Sequence, residues 1–112
     1  MEINQLLNFC CVTEEIVASI YSRFMQLFPQ EKDFWEALYK EEKMHTSFLI
    51  EAADSGRFDE MQAADLGFSE ALLNRTKTFI TNLSNQINFS PVSLEDALKI
   101  ALKIEVLLGI MW

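Results

Sequence analysis

Residues that break helices are scarce in this chain and occur at only a few places. The 112 residues include three glycines and two prolines, and half of all residues are hydrophobic. Pro29 and Pro91 each follow a long stretch without Gly or Pro, and Asp54-Ser55-Gly56-Arg57 makes a further break. Long uninterrupted stretches favour helices over short strands joined by turns. The sequence therefore predicts an all-α fold, with residues 1–112 forming a single domain.

The first two helices are predicted to form an antiparallel hairpin over residues 1–53. Apolar side chains recur at helical spacing from about Ile3 to Leu27 and from about Glu31 to Ala53. Pro29 ends the first helix, and the short connection makes the second helix return alongside it. The apolar positions expected to face the core are Leu7, Cys10, Val17, Tyr21, Phe24 and Phe28 in the first helix and Phe34, Leu38, Phe48 and Leu49 in the second.

Residues 54–68 are predicted to be a polar connection containing a short helical turn, and residues 69–112 to hold two further helices. Ser69 is expected to cap the third helix, which runs to about Gln86. The segment Ser93-Leu94-Glu95-Asp96 resembles a capping box and opens the last helix. Because the last helix is apolar on nearly every side, we expect it to be deeply buried. The expected core positions are Leu72, Leu73, Phe79, Ile80, Leu83 and Ile87 in the third helix and Leu94, Leu98, Ala101, Leu108 and Trp112 in the last.

The charge and cysteine patterns exclude several partners. A net charge of −8 without a basic stripe argues against a nucleic-acid partner. The most apolar segment, residues 97–112, contains charged residues and is too short to span a bilayer. The N-terminus lacks the basic segment of a secretory signal. Adjacent Cys10 and Cys11 fit neither a disulfide framework nor a zinc site. We therefore expect a cytoplasmic protein with reduced thiols and no membrane partner.

A glutamate and the only histidine interrupt the apolar stripe of the second helix. Glu42 and His45 are three residues apart, so they share a helix face. Leu38 lies one turn before Glu42, and Leu49 lies one turn after His45. A carboxylate and an imidazole in a core are costly unless they are paired or bound to a metal. Glu-x-x-His projecting inward from a bundle helix is a ligand unit of di-iron and di-manganese proteins. The pair is therefore either a metal-binding unit or a hydrogen-bonded pair in the core.

Glu14 in the first helix is predicted to lie opposite this pair. Depth can be counted from Pro29, because a helix rises about 1.5 Å per residue. Glu42 and His45 follow Pro29 by 13 and 16 residues, which places them roughly 20 and 24 Å from the turn. Glu14 precedes Pro29 by 15 residues, at roughly 22 Å. Glu14 also lies on the apolar stripe, whereas Glu15 is displaced by about 100°. The hairpin alone can therefore bring two carboxylates and an imidazole to one level of the core.

The last helix offers a fourth candidate ligand. Glu105 fills a gap in the apolar stripe of that helix, and buried carboxylates are rare without partners. A structural salt bridge is the alternative role for Glu105. Hard oxygen ligands with a single imidazole suit iron or manganese better than a closed structural zinc site. The candidate metal ligands are therefore Glu14, Glu42, His45 and Glu105.

At these residues the sequence resembles the ferritin-like superfamily, and more closely the rubrerythrin-related ferritin-like proteins. The first helix of that family carries a Glu followed seven residues later by a Tyr, matched here by Glu14 and Tyr21. Its second helix carries the Glu-x-x-His, matched by Glu42 and His45. Its third bundle helix carries a Glu in an apolar context, matched by Glu105. The resemblance covers the first 53 residues well and the last 20 loosely.

The resemblance implies a four-helix bundle with a non-haem di-iron site. Glu14 and His45 would be terminal ligands, Glu42 would bridge, and Tyr21 would hydrogen-bond behind the ligands. The implied activity is that of a ferroxidase or peroxidase, which couples Fe(II) oxidation to reduction of oxygen or peroxide. Manganese and zinc are the alternative metals.

The chain departs from the family in two respects. The fourth bundle helix of the family carries a second Glu-x-x-His, and this chain has no second histidine. The paired Cys-x-x-Cys motifs of a rubredoxin module are also missing. Either the chain ends before the last bundle helix, or two hairpins pair about a two-fold axis. Two copies of Glu14, Glu42 and His45 give four carboxylates and two imidazoles, the full ligand set of a di-iron bundle.

Three hypotheses about function follow from these patterns. The first is an iron-binding ferritin-like protein that forms a homodimer or a higher homo-oligomer. The second is a metal-free helical module for interaction or dimerisation, in which His45 hydrogen-bonds to Glu42 and the exposed apolar faces form the interface. The third is a truncated ferritin-like protein that keeps the hairpin and lacks the activity.

Overall fold

The computed structural model describes the backbone of residues 1–111 and the side chains of residues 1–109. Four α-helices make up most of this part of the chain, and it contains no β-strand. The helices are α1 (Ile3–Leu27), α2 (Lys32–Asp54), α3 (Glu70–Phe89) and α4 (Leu94–Met111), with short 3-10 turns at Pro29–Glu31 and Ala63–Leu66. The predicted all-α fold is confirmed. Trp112, an expected core residue of the last helix, lies outside the described residues.

The helix ends follow from local residue choice. Pro29 begins a 3-10 turn directly after α1 and leads into α2. The Ser69 side chain accepts a hydrogen bond of 3.1 Å from the backbone N–H of Leu72, which caps α3. Ser93 accepts the equivalent bond, also 3.1 Å, from the N–H of Asp96 at the start of α4. Both predicted serine caps are therefore present. The third helix extends to Phe89, beyond the predicted end at Gln86.

Two glycines in the connection between α2 and α3, Gly56 and Gly67, have a positive φ. Gly67 ends the 3-10 turn Ala63–Leu66 with a φ of +84°, in the left-handed region that other residues adopt only with strain. An antiparallel bridge between Glu2 and Gln62 holds this connection against the start of α1. The connection therefore closes the end of the hairpin that lies far from Pro29.

Buried apolar side chains form two clusters separated by a polar layer. The larger cluster lies toward the Pro29 turn and the smaller one toward the start of α1. On α1, buried Thr13 and Glu14 belong to the polar layer and lie between Cys10 of the smaller cluster and Val17 of the larger cluster. The larger cluster comprises Val17, Ile20, Tyr21, Phe24, Trp35, Ile80, Leu83, Ile87, Ala97, Ala101, Ile104 and Leu108. The smaller cluster comprises Ile3, Leu6, Cys10, Ala63 and Leu73.

The orientation predicted for α2 is partly wrong. Phe34 and Phe48 were expected in the core and are exposed, whereas Trp35, Glu42 and Thr46 are buried. Successive helix positions differ by about 100°, so Phe34 and Trp35 point in clearly different directions. The buried face of α2 therefore lies on the side of Trp35 and Glu42, and His45 stands at its edge.

The burial predicted for α3 and α4 is also partly wrong. Leu72 and Phe79 on α3 and Leu98 on α4 are exposed, and so are Leu102 and Val106. These helices bury one face against the rest of the chain, and no other described element covers their outer faces. None of the described helices is both long enough and apolar enough to cross a membrane.

Candidate metal centre

Two carboxylates and one imidazole meet at the polar layer of the hairpin. Glu14, Glu42 and His45 each offer one ligand atom, and these atoms all lie within 4.8 Å of one another. His45 Nδ1 is 3.9 Å from Glu14 Oε2 and 3.8 Å from Glu42 Oε2. The structure thus brings together the three residues that the helix rise counted from Pro29 predicts to lie at one level of the core.

The packing of α1 against α2 holds these side chains in place. Glu14 lies on the buried face of α1, and Glu42 lies on the buried face of α2. On the outer side, Lys43 Nζ contacts Glu15 Oε2 at 3.1 Å and links the two helices at the same level. The ion pair between Lys43 and Glu15 was not predicted. It could have been predicted from their positions next to Glu42 and Glu14, because the neighbours of two facing residues can also face each other.

Burial makes this cluster costly without a cation. The exposed fractions of Glu14 and Glu42 are 0% and 1%. Glu42 Oε2 is buried and has no hydrogen-bond partner among the described residues. Thr46 lies one turn away, but its hydroxyl donates to the backbone oxygen of Glu42 at 3.1 Å and not to the carboxylate. An ionised carboxylate in such surroundings needs a charged or hydrogen-bonding partner.

Glu105 of α4 is not one of the three residues whose ligand atoms lie within 4.8 Å of one another, but it lines the same cavity and hydrogen-bonds to α1. The Tyr21 hydroxyl donates to Glu105 Oε1 at 2.7 Å, although the two residues are 84 positions apart in the chain. Burial raises the pKa of Tyr21 far above its ordinary value, and the bond to Glu105 raises it further. Tyr21 is therefore a neutral donor that orients the Glu105 carboxylate.

A cavity of about 150 Å³ opens between these groups. Its polar walls are formed by all four candidate ligands, Glu14, Glu42, His45 and Glu105. Its apolar wall is the last part of α4, at Leu108, which was predicted as a core residue, and at Gly109, which was not predicted to lie near the site. No Lys or Arg is among the described residues that line this cavity, and its ionisable walls are three carboxyl groups and one imidazole. A small cation is the species that these walls suit best.

A second cavity, of about 350 Å³, is lined by two of the same residues. Glu14 and His45 line both cavities. The second cavity is otherwise mainly apolar, with Leu6, Phe48 and Phe68 among its lining residues. The candidate site therefore borders a mainly apolar cavity.

The separations from the imidazole to the two carboxylates fall within the range for ligands of one metal ion, and the separation between the two carboxylate oxygens is no more than 4.8 Å. Nitrogen and oxygen ligands lie about 2.0–2.2 Å from a bound transition metal, so two ligands of one ion are separated by at most about 4.4 Å. The separations of 3.8 and 3.9 Å from His45 Nδ1 fall within this limit. They are too long for direct hydrogen bonds, which span about 2.7–3.2 Å. The donor set of carboxylates with one imidazole therefore fits an ion between the side chains better than a direct bond between them.

Comparisons with known protein families, with curated proteins and with solved structures give no match to this chain.

Proposed function

We propose that this chain is a ferritin-like non-haem iron protein that couples Fe(II) oxidation to the reduction of oxygen or peroxide. The observation that carries the proposal is the meeting of two buried carboxylates, from different helices, with the only imidazole of the chain. Apolar clusters flank this polar layer on both sides along the hairpin. A site that needs a cation and is enclosed by core residues is the kind of environment in which redox metals are held.

Each side chain has a defined part in this proposal. Glu14, Glu42 and His45 would hold the metal. Tyr21 holds Glu105 at the edge of the site through its hydrogen bond, so that Glu105 supplements the ligand set. Bound iron would supply the redox chemistry that carboxylates and imidazoles lack.

A complete di-iron site requires ligands beyond those of one chain. A di-iron bundle uses four carboxylates and two imidazoles, whereas one copy contributes Glu14, Glu42 and His45, with Glu105 as a supplementary carboxylate. A second copy would provide the second Glu-x-x-His, so that a homodimer completes the four-helix bundle and the site. His45 supports this arrangement because its side chain is 43% exposed, which leaves one side of the site open to a partner.

The metal-free hypothesis requires a hydrogen bond between His45 and Glu42. The separation of 3.8 Å between His45 Nδ1 and Glu42 Oε2 exceeds hydrogen-bond length. His45 also stands at the edge of the core and not within it. These two features favour metal binding over a structural histidine–glutamate pair.

Anaerobic titration of the full chain with Fe(II) tests the proposal. Bound iron per chain and molar mass are measured first, and oxygen is then admitted while ferric absorbance is followed. We expect about one iron per chain in a dimer, because two copies share one di-iron site. Parallel titrations with Mn(II) and Zn(II) rank the metals by affinity.

Variants assign the binding to the site. Glu14→Gln and His45→Ala should each lower iron affinity at least tenfold, and Glu36→Gln is the control, because Glu36 lies outside the site and pairs only with Lys40 of its own helix. Absence of binding would overturn the proposal. So would binding that Glu14→Gln and His45→Ala leave unchanged.

A further inference from the structure

One face of α2 is apolar, acidic and uncovered. Phe34, Met44 and Phe48 are 50%, 64% and 69% exposed. Glu41 and Glu51 lie on the same face and are also exposed. These five residues, the α2 strip, extend over about 25 Å of helix. Glu41 and Glu51 lie about 40° to either side of the line through Met44 and Phe48, because each residue advances the helix by about 100°.

A second uncovered apolar surface lies between α3 and α4. Leu72 and Phe79 from α3 face Leu102 and Val106 from α4 across a cavity of about 600 Å³. Leu102 and Val106 are 65% and 55% exposed. We call this surface the α3/α4 groove. An apolar groove of this kind, open along two helices, is a shape that receives an amphipathic helix.

The rim of the α3/α4 groove is basic. Arg75 stands on the α3 side and Lys103 on the α4 side, and no acidic residue lines the groove. Among the described residues, neither side chain forms an ion pair, and neither do Glu41 and Glu51 of the α2 strip. The groove therefore presents two unpaired cations, and the strip presents two unpaired carboxylates.

We propose that the α3/α4 groove of one copy receives the α2 strip of a second copy. Met44 and Phe48, one helical turn apart, would enter the apolar floor. Glu41 and Glu51 lie on opposite flanks of that pair, as Arg75 and Lys103 lie on opposite rims of the groove. The partner of a basic-rimmed apolar groove must be apolar and acidic, and this chain carries such a surface itself. Each copy holds both surfaces, so two such contacts can close a two-fold dimer.

This contact has a consequence for the candidate metal centre. His45 lies about 60° around α2 from Phe48, so the α2 strip borders the exposed side of the imidazole. A second copy seated on the strip would bring its α3/α4 groove beside the site and not a second Glu-x-x-His, so this contact is distinct from the pairing that completes the di-iron site. Neither surface contains a candidate ligand. The docking contact can therefore be tested independently of metal binding.

Sedimentation velocity of the full chain over a range of concentrations tests the contact. Phe48→Glu and Leu102→Glu should each weaken self-association at least tenfold. Phe89→Glu, at a position 86% exposed and outside both surfaces, should leave self-association unchanged. All three positions are exposed, so the variants should keep the helical circular dichroism of the parent chain. A parent chain that stays monomeric, or association that both Phe48→Glu and Leu102→Glu leave intact, would overturn the proposal.

Mixing the two weakened variants shows which surfaces meet. A copy with Leu102→Glu keeps its strip, and a copy with Phe48→Glu keeps its groove. We therefore expect the mixture to associate more tightly than either variant alone. A mixture no tighter than its components would overturn the pairing of strip with groove and would point to contacts between like surfaces.

Charge reversal tests the ionic part of the contact. Glu41→Lys with Glu51→Lys should weaken association, and so should Arg75→Glu with Lys103→Glu. A chain carrying all four changes should associate again, and failure of that rescue would contradict the proposed ionic contacts. Iron binding to the Leu102→Glu variant separates the two proposals, because Leu102 does not line the cavities at the candidate metal centre. Binding by a monomeric variant supports the candidate ligands whatever the fate of the docking contact.

Discussion

The two halves of the α1–α2 hairpin are formed by the same two helices but bury different kinds of side chain. Toward Pro29 the interface is aromatic: the rings of Phe24 and Trp35 lie 4.8 Å apart, and those of Tyr21 and Trp35 lie 6.2 Å apart. Farther from the turn the same interface holds two carboxylates, Glu14 and Glu42. The helices pack continuously through both halves. The difference therefore lies in the buried side chains and not in the backbone.

Along this one pair of helices, the half near Pro29 is suited to stabilising the fold and the other half is suited to binding a cation. Apolar burial and aromatic contacts stabilise the half near the turn. Buried carboxylates oppose folding in the other half until a cation neutralises them. A hairpin anchored at its aromatic end can hold a costly polar layer at the other end. Substitutions in the two halves should consequently have opposite effects on the stability of the metal-free chain.

The largest effect is expected from Trp35→Ala in the aromatic half. Trp35 is fully buried, and we expect its removal to lower the free energy of unfolding by about 3–5 kcal/mol, as for other buried aromatics. Phe34→Ala is the matched control, since Phe34 is the neighbouring residue and half exposed, and should cost about 1 kcal/mol or less. Urea unfolding followed by circular dichroism measures both. Equal losses would mean that the aromatic contacts of Trp35 do not anchor the hairpin.

A buried carboxylate in the polar half should behave in the opposite way. We expect Glu42→Leu to raise the free energy of unfolding of the metal-free chain by about 1–3 kcal/mol, since it removes a buried carboxylate oxygen that has no hydrogen-bond partner among the described residues. The same change should abolish stabilisation by Fe(II), which in the parent chain is about 2.7 kcal/mol at a free metal concentration of 100 times Kd. Thermal melts with and without metal measure both effects.

The control for Glu42→Leu is Glu36→Leu, at a position near the solvent side of the same helix. It should keep the metal-dependent rise in melting temperature of the parent chain. A Glu42→Leu protein that is less stable without metal would show that the carboxylate contributes to folding by itself. The contrast between the two halves would then fail.

The boundary between the halves can be tested at Tyr21, which packs with Trp35 and hydrogen-bonds to Glu105. Tyr21→Phe keeps the ring and removes the hydroxyl, so it should lower the free energy of unfolding by about 1 kcal/mol. A double-mutant cycle with Glu105→Gln should give a coupling energy of about 0.5–1.5 kcal/mol. Additive effects would indicate that the 2.7 Å hydrogen bond does not stabilise the folded chain.

These contrasts also indicate which features could be predicted from sequence. The bounds of α1 and the meeting of Glu14 with Glu42 and His45 follow from helical periodicity, the position of Pro29 and a constant rise per residue. The exposure of Phe34 and Phe48 was not predicted, because apolar residues occupy more of α2 than one buried face, and periodicity alone does not select the face. The bond from Tyr21 to Glu105 depends on how α4 packs against α1. Local spacing does not encode that arrangement.

The smallest effect is expected at Cys10, where the smaller apolar cluster meets the polar layer. Burial raises the pKa of its thiol from 9.0 to about 12, and the charges of Glu14 and Cys11 add to this shift. Between these pH values the thiol is ionised in the unfolded chain and protonated in the folded chain. The unfolded state then binds fewer protons, so the free energy of unfolding falls as pH rises from about 9 to about 12. Below pH 9 this contribution to stability is fully present.

Cys10→Ala should make the stability of the chain less dependent on pH in that alkaline range. Urea unfolding at several pH values above 9 measures the slope for the parent chain and for the variant. Cys11→Ala is the control. Cys11 is partly exposed, and burial also raises its pKa, so its removal should flatten the slope less. An unchanged slope in Cys10→Ala would mean that the thiol titrates alike in both states. In that case water would reach the smaller apolar cluster. The polar layer would then border a water-free apolar cluster only on the side toward Pro29.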